Sequence, residues 1–250
     1  MMRTALGIAL GLAAILLSIQ NPALAQKPKS QKEIDAINAA ISATDPATRI
    51  KAVDAALQQF ADTEFKPMLL TMQVGAAADM NDQTKVIIYG EQALKADPKN
   101  YQVQLWIAQA IVQGTKEFDL DKEEKLGRAE KLIGEASKNT ATATKPAQLT
   151  DEQFVSAKKF MDAQGHETLG LIATLRKKYD VAITEYQTSL GLAPEATTMV
   201  RLAGVYNTAG KPAEALKLAD QVLAQPNLHP AVKQIATAEK EKATKATAGK

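Results

Sequence analysis

Small side chains recur at a regular spacing through most of this sequence, and that regularity limits the folds open to it. Five repeats can be aligned, beginning at residues 33, 67, 101, 163 and 196, with an insertion in the third and a further departure from the pattern over residues 138–162. The eighth position of each repeat is occupied by Ala40, Val74, Ala108, Gly170 and Ala203. A self-similar chain of this kind folds as stacked repeats, each burying the face of its neighbour.

Two further positions of each repeat follow the same rule. Position 20 carries Ala52, Val86, Ala129, Ala182 and Ala215, and position 27 carries Gln59, Ala93, Ala136, Ser189 and Val222. Small residues where helices cross let the backbones approach closely enough to keep the interior close-packed. Repeat 1 departs most from the pattern, because its position 27 is a glutamine and no proline ends it.

Each repeat has the pattern of two helices. Alternating β-branched runs are missing, apolar residues follow a 3.6-residue period, and proline with Asp or Asn separates the segments. These features resemble the tetratricopeptide repeat (TPR) family, whose unit is a 34-residue helix–turn–helix. The resemblance implies an all-α helical-hairpin solenoid, a right-handed superhelix of about five TPR-like units, with an extra helix and a C-terminal capping helix. The alternative from the residues alone is an unrelated alanine-rich helical bundle.

The N-terminus has the composition of a signal peptide. Arg3 gives a short positive start, an uncharged apolar run extends from Ala5 to Ile19, and residues 23–25 have the small-x-small form of a cleavage site. We predict cleavage after Ala25 and a secreted or periplasmic protein, with no stable membrane insertion after cleavage. The alternative is an uncleaved anchor, although the run is shorter than the roughly 20 residues that span a bilayer.

The rest of the sequence is predicted to divide as follows. A polar lead-in covers 26–32, N-terminal TPR-like units cover 33–137, and a connector covers 138–150. Residues 151–236 contain the extra helix, the C-terminal TPR-like units and the start of the capping helix. Residues 237–250 contain the end of the capping helix and a frayed tail.

The third repeat contains the insertion, residues 114–124. Its alternating Asp119, Asp121 and Glu123 are part of a calcium-loop pattern, but the sixth position is Glu124 instead of glycine. We expect a solvated loop before an acidic first turn of a helix over 122–137.

The extra helix begins with a capping-box pattern from Thr150 to Gln153. Phe154, Ala157, Phe160 and Met161 follow at helical spacing. We expect this stripe to be buried on a neighbouring element, and the helix to run on into repeat 4. The alternative is that the stripe pairs with itself in a homo-oligomer.

Composition excludes several kinds of chemistry. The chain has no Cys and two His, so neither a thiolate nucleophile nor a Cys- or His-rich metal centre is available. A net charge of +2 lacks the basic excess of a nucleic-acid-binding protein. We find no catalytic motif, and we expect no enzyme activity and no cofactor or metal. His166 is expected to pack against a neighbour or to lie at the surface. His229 is expected to lie at the start of a helix.

The resemblance implies that the first helix of each unit lines a concave binding groove. The family's groove positions fall on Gln102, Leu105, Gln109, Gln113, Gln164, Glu167, Leu171, Thr174, Val200, Asn207 and Thr208. Apart from Glu167 this set is neutral or apolar, and it lacks the combined set of Lys and Asn by which carboxylate-clamp co-chaperones hold a C-terminal carboxylate. We therefore expect an extended peptide or an amphipathic helix as ligand. The sequence thus predicts a non-catalytic exported scaffold for an unknown protein or peptide partner in the bacterial cell envelope. Alternatives are a membrane-tethered module assisting envelope assembly and a self-associating repeat protein.

Overall fold

The computed structural model describes residues 27–248, which form helices joined by short turns. The helices are α1 (Gln31–Ser42), α2 (Pro46–Gln59), α3 (Lys66–Asp79), α4 (Gln83–Ala96), α5 (Tyr101–Gly114), α6 (Lys122–Ala141), α7 (Asp151–Leu175), α8 (Tyr179–Leu192), α9 (Ala196–Thr208), α10 (Pro212–Leu223) and α11 (Pro230–Ala248). No strand occurs between residues 27 and 248. The all-α fold class is therefore confirmed, with the odd-numbered helices α1 to α9 as helix A of each repeat.

The chain forms two compact bodies, an N-terminal body up to Lys158 and a C-terminal body from Lys159. In the N-terminal body each helix from α1 to α6 packs on the next, and α3 also contacts α5. In the C-terminal body α8, α9, α10 and α11 pack in series, and α11 also contacts α9. This order of contacts is that of a helical-repeat protein, with α11 covering the last hairpin as a capping helix.

The repeat register correctly identifies the buried small residues in repeats 2 to 5. Buried residues at positions 8, 20 and 27 are Val74, Ala108, Gly170, Ala203, Val86, Ala129, Ala182, Ala215, Ala93, Ala136, Ser189 and Val222. Several of them, including Ala108 and Ala203, have no exposed surface at all. The helices of each hairpin therefore cross at positions where the sequence has small side chains.

Repeat 1 departs from the register in its second helix. Ala40 is buried as expected, but Ala52 is only partly buried and Gln59 is exposed. The reason is a shorter first helix: α1 ends at Ser42, two residues after Ala40, whereas α3 continues to Asp79, five residues after its equivalent Val74. Helix α2 therefore begins earlier and buries Ile50, Val53 and Ala56 instead.

The insertion in repeat 3 is a loop over residues 115–121 followed by a long α6. Asp119 and Asp121 both pair with Lys125 Nζ, at 3.0 and 2.9 Å. Within residues 27–248 no group of His, Asp and Glu side chains is placed to hold a metal ion. Helix α6 ends at Ala141, later than the predicted 137, so the connector begins inside it.

The extra helix is the first part of α7, which runs unbroken for 25 residues into repeat 4. Its capping box is present: Gln153 N donates to Thr150 Oγ1 at 3.2 Å, and Thr150 N donates to Gln153 Oε1 at 2.9 Å. Of the apolar stripe, Ala157 and Met161 are buried, whereas Phe154 and Phe160 are half-buried.

The predicted signal peptide, residues 1–25, lies outside the described residues. Between Lys27 and Ala248, none of the helices combines the length and apolar character that crossing a bilayer requires. At the other end, α11 remains helical to Ala248, so the capping helix extends through most of the segment 237–250, in which we expected its end and a frayed tail.

Candidate peptide-binding site

The C-terminal body contains a pocket of about 480 Å³ bordered by α7, α8, α9 and α11. It is lined by Leu171, Thr174, Tyr186, Arg201, Gly204, Val205, Asn207, Thr208, Glu239, Lys242 and Ala246. Leu171 and Thr174 come from helix A of repeat 4, and Asn207 and Thr208 come from helix A of repeat 5. The pocket thus collects side chains that lie more than thirty residues apart.

One wall of the pocket depends on the contact between Gly170 and Tyr186. A Cβ atom at Gly170 would lie 2.8 Å from Tyr186 Cε1, so the ring packs directly on the backbone of α7. Tyr186 is 1% exposed. Burial raises the pKa of its phenol to about 12, although a hydrogen bond with Thr174 opposes the rise. The phenol is therefore neutral at physiological pH.

Another wall is made by α11, which the side-chain amide of Asn207 joins to α9. Asn207 Nδ2 donates to the backbone oxygen and to Oε2 of Glu239, at 2.9 Å each. Lys242 Nζ donates to Glu239 Oε1 at 2.6 Å. Glu239 is 8% exposed, and these two partners compensate the burial of its charge. Asn207 Oδ1 is also buried and accepts no hydrogen bond within the described part of the chain.

Besides Glu239 and Lys242, the third charged residue that lines the pocket is Arg201, which an ion pair holds in place. The Arg201 guanidinium bonds Glu167 Oε1, which lies on helix A of the preceding repeat. The side chain of Glu167 is 15% exposed. Burial, and secondarily the charge of Glu167, raises the pKa of the neighbouring Glu195 carboxyl. With Arg201 and Lys242 both paired, the pocket presents no uncompensated cation to a ligand carboxylate.

Comparison with solved structures identifies the architecture. The structure of a thermophilic TPR protein in Thermus thermophilus aligns with a TM-score of 0.58 at 15% identity, covering 83% of this chain and 98% of that chain. This chain has a TPR-like fold. An assembly chaperone of RpL4 (residues 1–338) aligns with a TM-score of 0.44 at 13% identity, over 88% of this chain and 98% of that chain. No family model and no curated protein matches the sequence.

Four of the groove positions expected of a TPR-like fold come together in the pocket, namely Leu171, Thr174, Asn207 and Thr208. The other three in the C-terminal body are placed differently. Glu167 is paired with Arg201 beside the pocket, and Gln164 is half-buried with its Oε1 lacking a partner among the described residues. Val200 is 5% exposed and packs with Val222 and Ala236 in the core under the capping helix.

The groove positions in the N-terminal body fall in a different environment. Gln102 and Leu105 are 2% and 5% exposed, so they line no open surface of this structure. Gln109 is half-buried. Gln113 is exposed, and its Oε1 accepts a hydrogen bond from Gln83 Nε2 at 3.3 Å. Of the four, Gln109 and Gln113 retain surface that a ligand could reach.

Several residues of the pocket were not among the predicted groove positions. Glu239, Lys242 and Ala246 lie three and four residues apart on α11, a spacing that places them on one helix face. The spacing does not indicate which face of α11 meets the repeats, so the sequence alone did not point to these three residues. Tyr186 lies on helix B of repeat 4, and the groove positions taken from the family fall only on helix A.

The two histidines have structural partners. His166 Nδ1 lies 2.7 Å from Glu185 Oε2, and the side chain is 36% exposed. His229 Nδ1 accepts a hydrogen bond from Ala231 N at 3.3 Å, directly before α11 begins. Both placements agree with the surface and helix-start positions expected from the sequence.

Proposed function

We propose that this protein is a non-catalytic scaffold that binds a peptide segment of a protein partner in the pocket between α7, α9 and α11. The observation that supports the proposal is the convergence of Leu171, Thr174, Asn207 and Thr208 on one pocket of about 480 Å³. TPR-like folds are typically non-catalytic scaffolds for protein partners. A concave pocket with a few convergent polar groups is where a ligand is expected to bind.

The pocket chemistry favours a segment without strong charge. Leu171 and Ala246 offer apolar surface. The hydroxyls of Thr174 and Thr208 each donate to a carbonyl oxygen of their own helix, so they offer a ligand their oxygens as acceptors. The charged groups are compensated by one another, Arg201 by Glu167 and Lys242 by Glu239. We infer that the ligand contributes a small apolar side chain flanked by backbone amides, because a buried ligand charge would find no uncompensated partner.

The proposed location is the bacterial cell envelope, reached by export. Its support is the sequence of residues 1–25, with a positive start, an apolar run and a small-x-small site. Mass spectrometry of the protein from cells tests this step. A chain that begins at Gln26 and is released with periplasmic contents supports export with cleavage. A chain that keeps Met1 and sediments with membranes would favour the tethered alternative.

Site-specific photo-crosslinking in cells tests the binding proposal. Thr208 is the position for the probe, because it is exposed and lines the pocket, whereas Asn207 is committed to Glu239. Lys217 is the control, an exposed residue on α10 outside the pocket. We expect a specific protein adduct from Thr208 and none from Lys217. Equal adducts from both positions, or adducts from Lys217 alone, would overturn the proposal.

A blocking variant makes the same experiment sharper. Ala246→Trp puts a large side chain into the pocket from α11, and Ala238→Trp puts the same side chain on an exposed position of that helix. The Thr208 adduct is expected to disappear with the first variant and to persist with the second. An adduct that survives Ala246→Trp would show that the partner reaches Thr208 without entering the pocket.

A further inference from the structure

The insertion loop of repeat 3 exposes two large apolar side chains. Phe118 is 88% exposed and Leu120 is 108% exposed. The other exposed large apolar residues, such as Ile41 and Ile235, are between 42% and 51% exposed. Isolated half-exposed apolar residues are normal on protein surfaces. Two that are almost fully exposed in one short loop form an apolar surface that a partner could cover.

The loop is held in place by hydrogen bonds and ion pairs instead of by its apolar residues. Asp119 Oδ2 accepts from Lys116 N at 3.1 Å and pairs with Lys125 Nζ at 3.0 Å. These two contacts lower the pKa of the Asp119 carboxyl. Thr115 Oγ1 donates to the carbonyl oxygen of Ile111 at 2.7 Å, which ties the loop to the end of α5. Because Asp119 is anchored between them, Phe118 and Leu120 are presented to solvent at little further entropic cost.

The tip is surrounded by more negative than positive side chains. Residues 116–125 contain the acids Glu117, Asp119, Asp121, Glu123 and Glu124 and the lysines Lys116, Lys122 and Lys125. An apolar tip in an acidic setting fits an apolar pocket with a basic border. It does not fit an anionic lipid surface, which would repel it.

The N-terminal body carries a pocket of this kind, with a volume of about 740 Å³. Its apolar lining is Leu57, Pro67, Leu70 and Ala96. Among the charged residues that line it, Lys66 and Lys95 outnumber Glu64. Both lysines are exposed. The chain's own Phe118 and Leu120 do not fill this pocket, since they remain exposed.

We propose that Phe118 and Leu120 of one copy dock in this pocket of a second copy, with Lys66 and Lys95 facing the acidic loop. Loop and pocket are different surfaces. Two copies related by a two-fold axis would make this contact twice, and copies arranged head to tail would make it once with each neighbour and form a ring or an open chain. The self-association is separate from ligand binding in the C-terminal body, and the Phe154 stripe takes no part in it.

Sedimentation velocity of the protein purified from cells, over a concentration series, tests the proposal. The weight-average sedimentation coefficient of the wild type is expected to rise with concentration. The double variant Phe118→Ser with Leu120→Ser is expected to stay monomeric, while Val181→Ser, a half-exposed apolar residue of α8, associates like the wild type. Circular dichroism checks that the variants keep their helix content. A wild type that is monomeric throughout, or a loop variant that associates normally, would overturn the proposal.

A charge exchange tests the partner surface directly. One protein carries Lys66→Glu and Lys95→Glu, and the other carries Glu117→Lys and Glu124→Lys. Neither is expected to associate alone, because loop and pocket then have the same sign of charge. A mixture of the two is expected to associate, because each loop again meets a pocket of opposite charge. A mixture that stays monomeric while the wild type associates would mean that the contact uses another surface.

Discussion

Asn207 and Glu239 join helix A of the last repeat to the capping helix through two hydrogen bonds, each of 2.9 Å. The Asn207 side-chain amide donates both, one to the backbone oxygen of Glu239 and one to its carboxylate. Asn207 is a groove position in the TPR register, and Glu239 lies in the part of α11 that lines the pocket. The same contact therefore closes the end of the repeat array and forms a wall of the candidate site.

The first prediction concerns the stability of this contact. Asn207→Ala removes both donors and leaves the buried Glu239 carboxylate with Lys242 as its charged partner. We expect a loss of about 1–3 kcal/mol in the free energy of unfolding, measured by urea denaturation. Gln187→Ala is the control, because it removes an exposed amide that donates to Tyr206 at 2.9 Å. Gln187→Ala should alter the free energy of unfolding by no more than about 0.5 kcal/mol. Equal losses of stability in the two variants would contradict the prediction.

The second prediction concerns the small residue at position 8 of repeat 4. Gly170→Ala places a Cβ atom 2.8 to 2.9 Å from three atoms of the buried Tyr186 ring. Overpacking of this kind is expected to destabilise the protein by about 1–3 kcal/mol. Gly191→Ala on α8 meets no atom within 4 Å, so it should gain up to about 1 kcal/mol from higher helix propensity. Thermal denaturation of both variants measures the difference in sign, and a stabilised Gly170→Ala would show that the ring can move away.

The sequence was sufficient to predict the fold because its main signal is local and repeated. Small residues such as Ala108 and Ala203 mark helix crossings, and Thr150 with Gln153 marks the start of α7. In repeat 1 the register was wrong for Ala52, because the length of α1 depends on where the chain turns and not on the repeat period. The early start of α2 is fixed locally by Asp45, whose side chain caps the helix by accepting from Thr48 N at 2.7 Å.

The candidate site was less accessible to sequence reasoning, since it depends on contacts between distant segments. Leu171 and Asn207 could be placed on one surface by the repeat period alone. Glu239 could not, because α11 belongs to no repeat and its lysine- and alanine-rich end has the composition of a frayed tail. Val200 shows the opposite error: it occupies a groove position, but α11 buries it with Val222.

The third prediction concerns the capping box of α7. Thr150→Ala removes the hydroxyl that accepts from Gln153 N, leaving one of the first backbone N–H groups of the helix without its side-chain partner. We expect a loss of about 1 kcal/mol in the free energy of unfolding. Thr188→Ala, whose hydroxyl donates to Thr184 O within α8, serves as the matched control. It should be nearly neutral, because such back-bonding in mid-helix contributes little; a Thr150→Ala variant as stable as this control would contradict the role of the cap.

The last prediction concerns the two buried tyrosines at alkaline pH. Burial raises the pKa of both Tyr186 and Tyr101 to about 12, from an ordinary value of 10.0. Between these values the folded state keeps phenolic protons that the unfolded state has lost, so stability must fall as pH rises from 10.0 to about 12. Each tyrosine contributes up to about 1.4 kcal/mol per pH unit to this fall. Urea denaturation across that window measures the slope.

Tyr186→Phe is expected to make the alkaline slope shallower, because phenylalanine has no proton to lose. Tyr101→Phe should do the same, and the double variant should lose both contributions. The absorbance of tyrosinate gives an independent readout, since each substitution should remove one of the transitions at about 12. If Tyr186→Phe keeps the wild-type slope, the phenol of Tyr186 must be hydrated in solution. The ring would then pack less closely on Gly170 than the structure shows.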